Sequence, residues 1–197
     1  RVRDALPPEI PVTVKMRRGL DDSPASREWF YAILNGVLRA GAAAVTIHGR
    51  TVRQRYEGRS SWEFLREVKQ YAGKTVVLGS GDLFTAADCL AMIEQTGVDG
   101  VAVARGAIGN PWIFGQILAL ASGLPCPQPS LGEQREVMLE HYRLAEETYG
   151  PRRAGPIMRK FGIKYAGQHP KADDVRLAFI QVRSEEDWSR VVNEWYG

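Results

Sequence analysis

The chain has 197 residues, 44% of them apolar and 25% charged, a composition typical of a globular protein with enough apolar side chain to bury a sizeable core in one domain or one and a half. No stretch approaches the roughly 18 uncharged apolar residues of a membrane span and residues 1–11 hold no apolar signal core, so a cytoplasmic protein is expected. The two cysteines, Cys89 and Cys126, stand far apart without CxxC or histidine companions; neither a disulfide framework nor a zinc site is suggested, and both read as packing residues.

In chain order, four units of one kind follow one another: a short β-branched run, a glycine-containing turn and a segment of helical spacing. The strands are predicted at residues 11–17, 44–49, 75–79 and 100–104, and the helices at about 25–40, 62–71, 85–95 and 111–121. Such alternation implies a parallel sheet with right-handed crossovers, either a barrel or a doubly wound sheet. No glycine-rich dinucleotide fingerprint follows any strand, which counts against the doubly wound alternative. In the first strand Val12, Val14 and Met16 share one face and Thr13, Lys15 and Arg17 the other; in the second, Val45 and Ile47 oppose Thr46 and His48. One face suits covering helices and the other carries polar groups near the strand ends, as barrel enzymes arrange their sites, yet four units make only half of an eight-stranded barrel.

After Gly123 the pattern changes. Residues 124–130, LPCPQPS, form a linker with three prolines in seven residues, and helices alone are predicted beyond it, at about 131–149, 156–166, 173–182 and 185–196. Ser184 is expected to cap the last of these, with Asp187 completing an approximate capping box. Ile157, Phe161 and Tyr165 form an apolar stripe on the second, read as core. The predicted organisation is therefore 1–123, strand and helix units; 124–130, linker; 131–197, a small helical domain. The net charge of +3 says little about partners, but its distribution says more: Arg152, Arg153, Arg159, Lys160, Lys164 and Lys171 lie in residues 151–172, which hold no acidic residue. A tract of this kind suits a phosphate-bearing polymer, or else is a solvated helix face.

Lys15, flanked by Val14 and Met16, is costly to bury without an anion, and an inward lysine at a barrel mouth suggests an electron-rich ligand. His48, in IHGRT, ends the next strand, where a neutral imidazole can donate to a carbonyl or phosphate. Gly79, Gly81 and Gly106 follow the third and fourth strands, where backbone N–H groups can approach a phosphate and Arg105 can add charge-assisted bonds. Together these residues favour a phosphorylated cofactor or substrate.

PVTVKMR, then TIHGRT followed by Gln54, Tyr56, Gly58 and Trp62, then GSGD and ARGAIGNPWIF at 104–114, resemble in order and spacing the tRNA-dihydrouridine synthases, and most nearly their bacterial B-type or NifR3-like branch. The resemblance covers nearly the whole chain, with RKFGIKY near the centre of its helical tail. It implies the C-terminal half of an FMN-binding TIM (β/α)8 barrel followed by a small all-helical domain that holds tRNA. It also implies that Lys15 and His48 contact the flavin ring, that Ser80, Gly81 and Asp82 with Ala104 and Arg105 hold the FMN phosphate, and that Arg50 lines the uridine pocket. Arg153, Arg159, Lys160 and Lys164 would meet the tRNA backbone. The implied chemistry is reduction of uridine to 5,6-dihydrouridine: NADPH reduces the flavin, a hydride passes to uracil C6, and a cysteine acid protonates C5 of the extruded base.

Two departures stand out. The family usually carries asparagine where this chain has Ser80, and the family's first four strands, with the acid cysteine, are expected upstream of Arg1, so no catalytic residue is assigned within the chain. The expectation is thus a part of the enzyme whose open strand edges favour self-association. The alternatives are a tRNA-binding part without catalysis, another FMN barrel oxidoreductase, and a phosphate-binding barrel isomerase or aldolase without flavin.

Overall fold

The computed structural model describes residues 2–197, which divide into two compact units, residues 2–104 and 105–197. The first unit alternates strand and helix: β1 (Thr13–Arg17), α1 (Pro24–Arg39), β2 (Ala44–His48), α2 (Trp62–Ala72), β3 (Val76–Ser80), α3 (Ala86–Thr96) and β4 (Gly100–Val101). The strands form one four-stranded sheet in the order β1-β2-β3-β4, and each pair is parallel. This is the α/β architecture of a partial barrel, followed in the second unit by helices.

Local chemistry explains where each helix begins. The Ser23 side chain accepts the Ser26 N–H and Pro24 sits at the first helical position of α1; Ser61 caps α2 in the same way, and Thr85 with Asp88 closes a full capping box on α3. One face of the sheet is covered, with Val45, Ile47 and Val77 buried along with Phe30, Leu34, Phe64, Leu65, Val68 and Met92 of the helices. At Gly79 a Cβ would stand 2.5 Å from the Met92 sulfur, so a side chain there would displace the buried Met92 side chain of α3. The fourth strand is shorter than predicted. Ala102 still donates its N–H to the Gly79 carbonyl at 2.8 Å, but Arg105–Ala107 winds into a 3-10 turn and ends the extended run.

The second unit contains α4 (Ile113–Ala121), α5 (Leu131–Tyr149), α6 (Pro151–Tyr165), α7 (Ala172–Ile180) and α8 (Glu185–Tyr196), and residues 124–130 run between α4 and α5. Its core joins Met138 and Tyr142 of α5, Met158 and Tyr165 of α6, Val175 and Phe179 of α7, and Trp188, Val192 and Tyr196 of α8. Helix α6 starts five residues earlier than predicted, because Pro151 suits a first helical position and Pro156 is carried inside the helix without an N–H to donate. Its buried stripe is Ala154, Met158, Gly162 and Tyr165; Ile157 and Phe161 are only half-buried, so the predicted stripe is displaced by part of a turn. Ser184 caps α8 by accepting the Asp187 N–H at 3.2 Å, but the return bond runs from the Arg183 N–H to Asp187 at 3.0 Å, one residue short of a true capping box. Cys89 is buried whereas Cys126 is exposed, so only the former is a packing residue. Among the described residues no helix is long and apolar enough to cross a membrane.

Two glycines of α6 and its following turn give a direct test of this packing. A Cβ at Gly162 would lie 2.3 Å from the Phe179 ring, whereas one at Gly167 would meet nothing within 4 Å. Gly162→Ala should destabilise the helical unit by about 1–3 kcal/mol, the usual cost of overpacking, and Gly167→Ala should lie within about 0.5 kcal/mol of wild type in denaturant unfolding.

Candidate functional site

The site begins with the strand register. Lys15 pairs with Thr46 and Thr46 with Leu78, while one step along Arg17 pairs with His48 and His48 with Ser80. Side chains alternate between the two faces of a strand, so these residues share the face opposite Val45, Ile47 and Val77. This second face is open: Lys15 and Val76 are exposed on it, and Lys15 has no ion pair among the described residues. Lys15 therefore lies on the same face as His48 and Ser80 but one row nearer the middle of the sheet, while His48 and the 80–82 turn stand at its end.

His48 is held in one state. Its Nδ1 accepts the backbone N–H of Arg50 at 3.1 Å, which leaves the proton of the neutral ring on Nε2, a donor available to a ligand. Burial, followed by the charges of Arg17, Lys15 and Arg50 and against the opposing pull of Asp82, lowers the His48 pKa to about 4. The imidazole is thus neutral at physiological pH although three cations surround it.

Three loops close around this end of the sheet. From β1 the Arg17 guanidinium reaches over to donate to the Thr51 carbonyl at 2.8 Å and to that of Arg55 at 3.3 Å. Arg18 bonds the Gln54 side-chain oxygen at 3.1 Å, which also accepts the Thr51 N–H at 2.9 Å. Arg50, only 3% exposed, donates through Nε and Nη2 to the Gly58 carbonyl at 3.1 and 2.6 Å, and through Nη2 to both Asp82 oxygens at 2.7 and 2.9 Å. Asp82 in turn accepts the Ser60 N–H at 2.8 Å. Ser60 is wedged between two glycines, since a Cβ on Gly49 or Gly81 would stand 2.4 or 2.2 Å from its hydroxyl oxygen. Gly81 (φ +122°) and Asp82 (φ +57°) both adopt left-handed backbone, which is uncommon for an aspartate and is held here by the ion pair.

Ser80 is buried and donates its hydroxyl to the Ala102 carbonyl at 3.1 Å, tying β3 to the strand beyond it. Ala104 is the exposed last residue of the first unit, and Arg105, half-buried, opens the 3-10 turn of the second. Arg153, Arg159, Lys160 and Lys164 all lie on α6. At 100° per residue they and Arg152 fall within about 140° of the helix circumference, opposite the buried Ala154, Met158, Gly162 and Tyr165. None of the five has an ion pair among the described residues. The alternative of a basic face neutralised from elsewhere in its own unit is thereby weakened.

The sequence pattern passed over Ser60 and gave no role to Arg17 or Gly58, which it met only as a polar-face residue of β1 and as part of the family pattern, and it did not pair Arg50 with Asp82, whose carboxylate lies 32 residues away along the chain.

Since the His48 pKa is depressed, the unfolded chain binds a proton between pH 6.5 and about 4 that the folded chain does not. Stability should be highest above about pH 6.5 and should fall as the pH drops through that window. His48→Asn should flatten the fall, measured by denaturant unfolding at several pH values, and the wild-type ring should titrate near pH 4 by NMR.

A family model described as dihydrouridine synthase (Dus) matches residues 1–194. Among curated proteins, a probable tRNA-dihydrouridine synthase of Mycobacterium leprae (strain TN) is 36% identical over 190 residues, 96% of this chain and 49% of its own length. One of Rickettsia bellii (strain RML369-C) is 39% identical over 86% of this chain and 51% of its own length. The tRNA-dihydrouridine synthase B of Xanthomonas campestris pv. campestris is 31% identical over 95% of this chain and 56% of its own length. The chain thus spans about half the length of the curated relatives it matches.

Proposed function

The chain belongs to the dihydrouridine synthase family, and from that premise we propose that it forms the flavin-facing and tRNA-gripping part of an enzyme that reduces uridine in tRNA to 5,6-dihydrouridine, with FMN as cofactor and NADPH as reductant. The observation that carries this reading is the open sheet face, where an exposed lysine and a neutral histidine whose proton rests on Nε2 stand beside Arg17 and the 80–82 turn. That donor set fits FMN, an electron-rich ring with carbonyl acceptors and a phosphate. When bound, the flavin supplies the hydride that reduces the uracil ring.

In this reading Lys15 offers its ammonium to the ring's acceptor edge, and His48 donates Nε2–H without bringing a fourth positive charge. Ser80, Gly81 and Asp82 shape the turn that meets the cofactor, while Ala104 and Arg105 supply a backbone approach and a charge for its phosphate. Arg50 belongs to the wall on the uridine side through the loop it anchors at Gly58. No residue of this chain is assigned as the acid that protonates the base. Cys89 is fully buried, with its thiol pushed up to about 11 by burial and then by Asp88, and has no path to a base. Residues 1–123 then form the last four barrel units, 124–130 a linker and 131–197 the tRNA-binding domain, on whose α6 Arg153, Arg159, Lys160 and Lys164 grip the backbone. A tRNA substrate sets the working compartment as the cytoplasm, and the sheet edges at β1 and β4 are where a second protein body pairs.

Titrating FMN while recording absorbance from about 350 to 500 nm should give a bound-flavin spectrum that Lys15→Ala weakens or abolishes. Folded protein that retains tRNA but never shifts the flavin spectrum would instead support a second reading, a tRNA-binding part without catalysis, which the unpaired basic face of α6 favours. On either reading tRNA affinity should fall steeply with salt. Arg153→Ala, Arg159→Ala, Lys160→Ala and Lys164→Ala combined should lower the log–log salt slope by up to about one unit per cation removed.

A further inference from the structure

We infer, resting on the flavin reading above, that Arg50 is a positioning residue: it orders the flavin-facing groups of β2 and β3 from behind rather than meeting the base itself. Its backbone N–H occupies His48 Nδ1 and thereby leaves the ring proton on Nε2. Its guanidinium, meanwhile, closes a buried knot that joins two loops: Nε and Nη2 on the Gly58 carbonyl, and Nη2 on both oxygens of Asp82. The carboxylate passes the constraint on through the Ser60 N–H, and Ser60 fills the gap between Gly49 and Gly81 so closely that neither glycine could carry a side chain.

Three features favour positioning over direct contact. Arg50 is 3% exposed, and every bond of its guanidinium goes to the two loops. Its partner Asp82 sits at φ +57° beside Gly81 at φ +122°, a backbone shape that relaxes unless it is held. And Nη2 bonds an acceptor on each loop while Nε adds a second bond to the Gly58 carbonyl, so two atoms of one rigid plane fix the guanidinium; a lysine ammonium, at the end of a flexible stem, lacks that second anchor. Lys15 on the open face and Arg50 behind the turn therefore have separate tasks, the first to meet the cofactor and the second to keep its seat in shape.

The test compares wild type with Arg50→Lys, and with Leu34→Ala as a buried core truncation remote from the turn. FMN affinity is read by flavin fluorescence, and the His48 ring by its two nitrogen chemical shifts in labelled protein without FMN. Arg50→Lys should bind FMN about tenfold or more weakly, and its His48 shifts should move toward the average of two tautomers. Leu34→Ala should lower the melting temperature and leave both readouts at wild-type values. Should Arg50→Lys fail to fold, Asp82→Asn replaces it, since the amide keeps one oxygen for the guanidinium and loses the charge. FMN affinity within twofold of wild type together with unshifted His48 nitrogens would overturn the inference. Wild-type protein that binds no FMN would sink the flavin reading, and the nitrogen shifts would then decide the positioning role alone.

Discussion

In a parallel ladder side chains fall into rows, and which row faces the covering helices is decided by where the bulky apolar residues stand. Val45, Ile47 and Val77 take that face, with α1, α2 and α3 packed over the sheet's buried side. The register Arg17–His48–Ser80 and Lys15–Thr46–Leu78 follows as the opposite face, with no freedom left to it. A slip of one residue would bury Lys15 and His48 and expose three fully buried aliphatic side chains, at about 1.5–3 kcal/mol for each of the latter. Every later feature, from the tautomer of His48 to the seat of the 80–82 turn, depends on this register.

Upon that frame the loops solve an electrostatic problem. Lys15, Arg17 and Arg50 converge on one strand end, where their repulsion has to be managed. Arg50 is neutralised by Asp82 inside the protein, Arg17 is satisfied by the Thr51 and Arg55 carbonyls, and His48 gives up its proton. Lys15 keeps an exposed charge. The result is a surface that can stabilise electron density on a ligand while holding its donors in fixed directions before anything binds.

Much of this was legible in the sequence, and the exceptions have physical reasons. The strands and helices of the first unit are legible because their apolar spacing is regular, whereas the caps Ser23, Ser61 and Thr85 that set the helix starts emerge only from the structure. The rows carrying Lys15 and His48 followed from alternation alone. The fourth strand reads too long in the sequence because a 3-10 turn at Arg105 has no distinctive residue pattern, and the pattern starts α6 at Pro156 because a proline inside a helix reads as a boundary. The Arg50–Asp82 pair and the Ser60 wedge were illegible for another reason: each joins residues brought near only by the fold, and pattern reading extends over a turn or a strand, not across 22 or 32 residues. Ser80 has a task that its sequence context does not reveal, because its hydroxyl is donated to the Ala102 carbonyl.

Whether the open sheet face seats the flavin can be read from amide and side-chain NMR of labelled protein during FMN addition. Saturable shifts are expected at residues 15–17, 48–50 and 80–82, with the exposed face of α6 undisturbed until tRNA is added. Saturable FMN binding that leaves those three segments unshifted and perturbs another surface would contradict a flavin seat there.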